Sequence, residues 1–236
     1  VERDHELERP AAAAVILEAA ALLFDLDGVL VDSRAAVEAV WRRWAAERSL
    51  DPTPFIAVAH GRRSSETIRA VAPHLDARRE AAALDALEAV KTDGVEPAAG
   101  AAELVAALPA GRWAIVTSGS RDVAALRLRH TGVRRPAVLV TGQDVPRGKP
   151  DPAGYLIAAE RLGVDPRACV AIEDAPAGLA AARASGARVI ALTTTHPAAA
   201  LGAADAVVDA LTRLRVAPTP AGVLQVTIAP APSLPD

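Results

Sequence analysis

The chain has 236 residues, 51% of them hydrophobic and 23% charged, with a formal net charge of −3. That composition excludes a disordered chain and gives no general attraction for nucleic acid or anionic lipid, so a phosphorylated ligand has to be held by locally placed cations. The single cysteine, Cys169, excludes an internal disulfide framework and, within an apolar run, reads as a buried core thiol.

Residues 1–13 read as a tail. The nearest approach to a membrane span, 11–26, is interrupted by Glu18 and Asp25 and follows an acidic-rich segment, the wrong flank for a signal peptide. A cytoplasmic monomer with no membrane or nucleic-acid partner is therefore expected. Residues 20–25 form an apolar run ending in a carboxylate, as in a buried strand whose carboxyl end is a site. From 34 to 48 the period becomes helical, with Val37, Val40, Trp41 and Trp44 on one face and Glu38, Arg42 and Arg43 mostly on the other. Trp41 and Trp44 at that spacing predict a small helical core rather than a sugar-stacking platform. Helical segments continue to about residue 90, broken at Pro52, Pro54 and Pro73, and no strand is predicted between 33 and 99.

Beyond Gly100 the runs 112–117, 137–141, 168–172, 187–192 and 206–208 read as short buried strands with helices between them. Asp122 caps one helix and Asp151 with Pro152 opens the next; Gly132 and Gly163 close them, and a third runs from Pro176 to before Gly186. A last strand-like run, 223–228, lies in the Pro-rich end and is a candidate extension of the sheet. Strands alternating with helices imply right-handed crossovers and a doubly wound, Rossmann-like parallel sheet, an α/β fold. The expected division is a core of 14–32 and 100–236 interrupted by an all-helical cap, 33–99. In such sheets ligands sit beyond the carboxyl ends of the strands, which brings Asp25, Ser118, Lys149, Glu173 and Asp174 to one edge.

Each of those places carries chemistry. Asp25 and Asp27 are two positions apart in an extended chain, so their side chains point the same way, and Gly28 after them permits an unusual turn. One carboxylate can attack phosphorus while the other carries a proton to and from oxygen. Ser118 can donate its hydroxyl to phosphate, Gly119 lets a backbone N–H come close, and the helix that follows adds a favourable dipole. Lys149 stands beside Pro150 and Pro152 in a stiff turn, where a fixed ammonium can neutralise both nucleophile and phosphoryl oxygens. Glu173 and Asp174 end another strand, and Asp174 with Asp25 would give Mg²⁺ the few carboxylates it wants; helix capping by Asp174 is the plainer role.

Taken together the four segments resemble, in order and in strand placement, the four motifs of the haloacid dehalogenase-like hydrolase superfamily, over about residues 22–214. The resemblance implies Asp25 as a nucleophile that forms an aspartyl-phosphate, and Asp27 as general acid and base that lends its carbonyl to the metal. It implies Ser118, Gly119 and Lys149 as phosphate binders, Asp174 as a Mg²⁺ ligand and Glu173 as an outer or supplementary one. The insertion resembles the helical cap of the beta-phosphoglucomutase-like subgroup. The segments 117–122, 148–152, 173–178 and 60–63 look closer to its sugar and polyol phosphatases, of the glycerol-3-phosphatase and 2-deoxyglucose-6-phosphatase type. Arg63, with Arg62 and His60 behind it, is the cap residue expected to touch substrate. Ala99 with Gly100 replaces the family's usual Pro-Gly on return to the core. Hydrolysis of a small phosphorylated metabolite is the function implied. A phosphoglucomutase is the alternative, weakened because Val37 stands where that enzyme has a histidine. Dehalogenation is disfavoured by Asp27, and an inactive binding module by the presence of every motif residue.

Overall fold

The computed structural model describes residues 14–229; the predicted tail 1–13 lies outside them. The chain runs through β1 (Val15–Ala19), β2 (Ala21–Phe24) and β3 (Val31–Asp32). Four helices follow: α1 (Arg34–Ala46), α2 (Thr53–Ala59), α3 (Ser64–Val71) and α4 (Ala77–Glu88). After β4 (Glu96–Pro97) come α5 (Ala101–Ala106), β5 (Trp113–Val116), α6 (Arg121–Thr131), β6 (Val138–Val140) and α7 (Ala153–Leu162). Then come β7 (Cys169–Glu173), α8 (Pro176–Ala184), β8 (Arg188–Leu192), β9 (Ala206–Val208), β10 (Leu214–Pro218) and β11 (Leu224–Ile228).

Six strands make one parallel sheet in the order β6-β5-β2-β7-β8-β9. The first of them, β2, is central; the chain builds outward on one side through β5 and β6, then returns to β7 and builds outward on the other. Successive residues of β2 serve opposite faces. Leu22 and Phe24 pack with Ile115, Val170 and Leu128, whereas Ala21 and Leu23 pack with Val116, Ala171 and Tyr155. Burial on both faces is why these strands are short continuous apolar runs. Cys169 is the buried core thiol expected.

Three expectations are corrected. The run 223–228 does not extend the main sheet: β11 is the middle strand of a separate antiparallel sheet, β1-β11-β10. Its alternation explains this, since Leu224, Val226 and Ile228 are buried against the core while Gln225 and Thr227 are not. β1, which the sequence reading did not assign, is its partner. The stretch 33–99 does hold one short strand, β4, paired antiparallel with β3 where the chain leaves for the helices and returns. The caps also differ. Ser120 rather than Asp122 caps α6, its Oγ accepting from the Val123 N–H (3.4 Å), and Ala175 rather than Asp174 precedes α8.

The helices between β3 and β4 pack a core of their own around Trp41, Trp44, Phe55, Ile68 and Leu84. The three rings lie 5.0–5.6 Å apart between centroids, and the Trp44 indole N–H donates to Glu80 (3.1 Å), so both tryptophans serve packing as expected. Among the described residues no helix is long and apolar enough to cross a membrane.

Candidate active site

Three strand ends and one loop meet at the carboxyl edge of the sheet. Asp25 directly follows β2, its N–H donating to the Ile172 carbonyl of β7 (3.0 Å). Gly28, at φ +79°, turns the chain back at once, and any side chain there would run into the Asp174 carboxylate. Lys149 comes in from the loop between β6 and α7. Its Nζ lies 2.9 Å from Asp25 Oδ1 and 2.7 Å from Glu173 Oε1, and it also donates to the Val116 carbonyl (3.0 Å). Glu173, at the end of β7, also accepts from the Tyr155 hydroxyl (2.5 Å) and, through Oε2, from the Asp174 N–H (3.2 Å). It is roofed by Gly178, where a Cβ would collide with its carboxylate.

Asp25, Glu173 and Asp174 each offer an oxygen within 4.8 Å of the others, all three buried. Facing them is one ammonium, and the imbalance is visible in their titration. Asp25 is raised from 3.8 to about 7, most of all by burial; Lys149 works against that rise, while Glu173 and Asp27 add to it. Burial, then Asp25 and Glu173, hold Asp174 well above the carboxylate range. Burial opposes the charge on Lys149, but Asp25 and Glu173 outweigh it and raise its pKa. Asp174 Oδ2 accepts from Thr195 Oγ (2.5 Å), yet its Oδ1 is buried and, among the described residues, bonded to nothing. Hard oxygen donors, surplus negative charge and an orphaned acceptor fit a divalent cation.

That fit has a measurable consequence. Asp25 binds its proton more tightly folded than unfolded, so in metal-free protein its contribution to stability is complete below its unfolded pKa near 3.8. It is lost as pH rises through about 7. A cation bound here replaces that proton. The gain in Tm on adding Mg²⁺ to chelator-treated protein should therefore be larger at about pH 8 than at about pH 5. A gain equal at both, or none, would move the ion away from this cluster.

The haloacid dehalogenase-like hydrolase family matches residues 19–186, which span these four segments. The chain belongs to that family. It is 41% identical to hexitol phosphatase A of Escherichia coli (strain K12) over 205 residues, covering 85% of this chain and 95% of that protein. It is 37% identical to glycerol-1-phosphate phosphohydrolase 2 of Saccharomyces cerevisiae, covering 76% of each. A HAD family hydrolase from Deinococcus radiodurans R1, crystallised with phosphate and sodium, superposes with a TM-score of 0.59 at 33% identity, covering 80% of this chain and 90% of that one.

In this haloacid dehalogenase-like hydrolase a cavity opens above Asp25. Asp27, Ser118 and Gly119 line its core side; Val37, Trp41, His60, Arg62, Asp85 and Glu88 line the side made by the helical insertion. Besides Lys149, the other two donors singled out for phosphate are engaged within the protein: Ser118 Oγ donates to the Gly61 carbonyl across the cleft (2.9 Å), and the Gly119 N–H to Thr117 Oγ (3.0 Å). Arg63 does not line the cavity. Its guanidinium pairs with Glu66 and donates to the carbonyls of Gly142, Val145 and Pro146 (each 3.2 Å). Glu66 in turn accepts from the Gly148 N–H (2.9 Å), so this couple ties α3 to the loop that carries Lys149. Arg62 and His60 take the cavity position instead.

Sequence reasoning missed three groups. Thr195 and His196 adjoin Asp174, the His196 ring nitrogen lying 3.2 Å from the Asp174 carbonyl oxygen. Arg127, on α6, lies between Asp27 and Glu88, 2.5 and 2.8 Å away. Burial opposes its charge, but those two carboxylates outweigh burial and raise its pKa. Its signal was available: position 127 falls on the face of α6 occupied by Val123, Ala124 and Leu128, where an arginine needs a reason.

Proposed function

We propose that this chain hydrolyses phosphate monoesters of small sugars or polyols through an aspartyl-phosphate on Asp25, with Mg²⁺ as its cation. The observation that carries the reading is the meeting of Asp25, Lys149, Glu173 and Asp174 around one point, beneath a cavity reached by Asp27 and Ser118. Mg²⁺, held by the carboxylates of Asp25 and Asp174 and the carbonyl of Asp27 with Glu173 in support, would supply charge neutralisation for nucleophile and phosphate.

The chain's own groups do the rest. Lys149, pinned by Glu173 and the Val116 carbonyl, keeps its ammonium on Asp25 and the incoming phosphoryl oxygens. Ser118 and the Gly119 N–H exchange their internal partners for phosphate, with the N-terminus of α6 behind them. Asp25 forms an O–P bond as the bond to the substrate alcohol breaks, and the departing oxygen takes a proton from Asp27. Asp27 then accepts a proton from the water that attacks phosphorus, and the Asp25 O–P bond breaks to release phosphate. The insertion 33–99 serves as a cap that excludes bulk water and selects the leaving group.

The cavity wall favours a neutral, hydroxylated leaving group. Asp85 lines it and, among the described residues, its carboxylate accepts no hydrogen bond; Glu88 stands one turn on. The Asp85 carboxylate there can accept from hydroxyls and disfavours an acidic leaving group, while Glu88 is paired with Arg127. The names of the Escherichia coli and yeast relatives, a hexitol phosphatase and a glycerol-1-phosphate phosphohydrolase, agree with that chemistry. The mutase alternative is less supported, because Val37 lines the cavity and cannot relay a proton.

Phosphate release across hexitol, glycerol and deoxyhexose phosphates and phosphoglycolate, with and without Mg²⁺, tests this directly. Mg²⁺-dependent release with polyol or sugar phosphates ahead of phosphoglycolate is expected. No release from any of them would remove the assignment, and a sugar bisphosphate accumulating during turnover would favour the mutase.

A further inference from the structure

We propose that Arg127 is a positioning residue that couples closure of the helical insertion to the aim of Asp27 as general acid. This rests on the phosphatase reading above and adds to it a residue outside the four motif segments.

Arg127 projects from the buried face of α6 and is only 4% exposed. A buried guanidinium is costly unless paired, and here each arm has one carboxylate: Nη1 to Asp27 Oδ1 at 2.5 Å, Nη2 to Glu88 Oε2 at 2.8 Å. The two carboxylates belong to different parts of the molecule. Asp27 is in the turn after β2, whereas Glu88 is the last residue of α4, in the insertion. A guanidinium is a rigid planar fork, so the position of one arm constrains the other. With Glu88 docked, the plane of Arg127 is set and Asp27 is held. With Glu88 withdrawn, Arg127 keeps a single tether and can swing.

Asp27 is oriented in a chemically meaningful way. Oδ1 receives both the Arg127 arm and the Ser33 hydroxyl (2.7 Å), while no hydrogen bond reaches Oδ2 among the described residues. With Oδ1 held by Arg127 and Ser33, Oδ2 is the oxygen left open to a reacting group, and Asp27 lines the cavity above Asp25. A general acid is effective only within hydrogen-bond reach and correctly aimed, so loss of this clamp costs proton transfer before it costs phosphate binding.

Leaving-group chemistry separates a positioning role from a structural one. When the P–O bond to an alcohol breaks, the electron pair leaves on an oxygen that needs the Asp27 proton. When it breaks to p-nitrophenol, the phenolate departs unprotonated. The ratio kcat/KM covers steps up to that departure, so it isolates the need for the acid. We would compare kcat/KM for the best polyol phosphate and for p-nitrophenyl phosphate in the wild-type chain, Arg127→Met and Glu88→Gln. Arg127→Met should lose about 100-fold on the alkyl ester and far less on the aryl ester. Glu88→Gln should shift in the same direction by less. If Arg127→Met does not fold, Arg127→Lys, which keeps charge but lacks the fork, serves in its place. Equal falls on both esters, or no fall on the alkyl ester, would overturn the proposal. A wild-type chain that hydrolyses neither ester would instead mark failure of the phosphatase reading.

Discussion

Asp25→Asn should lower kcat for phosphate release by at least about 10⁴-fold, the scale of loss when a covalent nucleophile is removed. The amide keeps the shape of the carboxylate but has no lone pair basic enough to attack phosphorus. The fold should survive, and Tm in the absence of metal should hold or rise. Three buried carboxylates share one ammonium in this cluster, and burial together with Glu173 and Asp27 already drives the Asp25 pKa to about 7. Taking one charge away relieves that repulsion, while Lys149 keeps Glu173 at 2.7 Å and the Val116 carbonyl at 3.0 Å. The cost falls on the cation, whose stabilising effect on Tm should shrink. Phosphate release and thermal melts on the same preparation check both halves. A variant that retains turnover would exclude Asp25 as the nucleophile.

The second large effect concerns Lys149, and there activity and stability should fall together. Lys149→Ala removes the cation facing the transferring phosphoryl group, a loss of about 10²–10³ in kcat by analogy with deleting one fixed donor at a developing charge. It also strands Glu173, which is 0% exposed and would be left with the Tyr155 hydroxyl and a backbone N–H. Breaking a buried pair by removing one partner costs about 3–5 kcal/mol, because the remaining charge stays uncompensated. Denaturant melts measure that term, and kinetics at a temperature where the variant is still folded measure the other. A stability loss with kcat intact would reduce Lys149 to a structural lysine.

Those two predictions rest on residues legible in the linear chain, and the reason is local. Asp25, Ser118, Lys149 and Glu173 with Asp174 each stand at the end of an apolar run or in a Pro-framed turn. A parallel sheet with right-handed crossovers sends all such ends to one edge. The insertion was legible as well, since the spacing of Val40, Trp41 and Trp44 defines a helix face that must find a partner. What a pattern of that kind reports is which face of an element is buried. It carries nothing about what lies opposite.

Everything the sequence left open is of that second kind. Arg63 belongs to a helix start, and only packing puts the carbonyls of residues 142, 145 and 146 around its guanidinium rather than a ligand. The β1–β11 pairing joins residues some two hundred positions apart, and alternation in 223–228 says one face is covered without naming the strand beside it. Arg127 meets Asp27 and Glu88 from 100 and 39 positions away. The chain alone thus determined the alternation of strands and helices and the apolar runs that end in carboxylates at Asp25 and at Glu173 with Asp174, because propensity, periodicity and strand ends are properties of short segments. Which charged groups face one another inside the molecule was decided by the tertiary packing, because an ion pair depends on distances that no single segment contains.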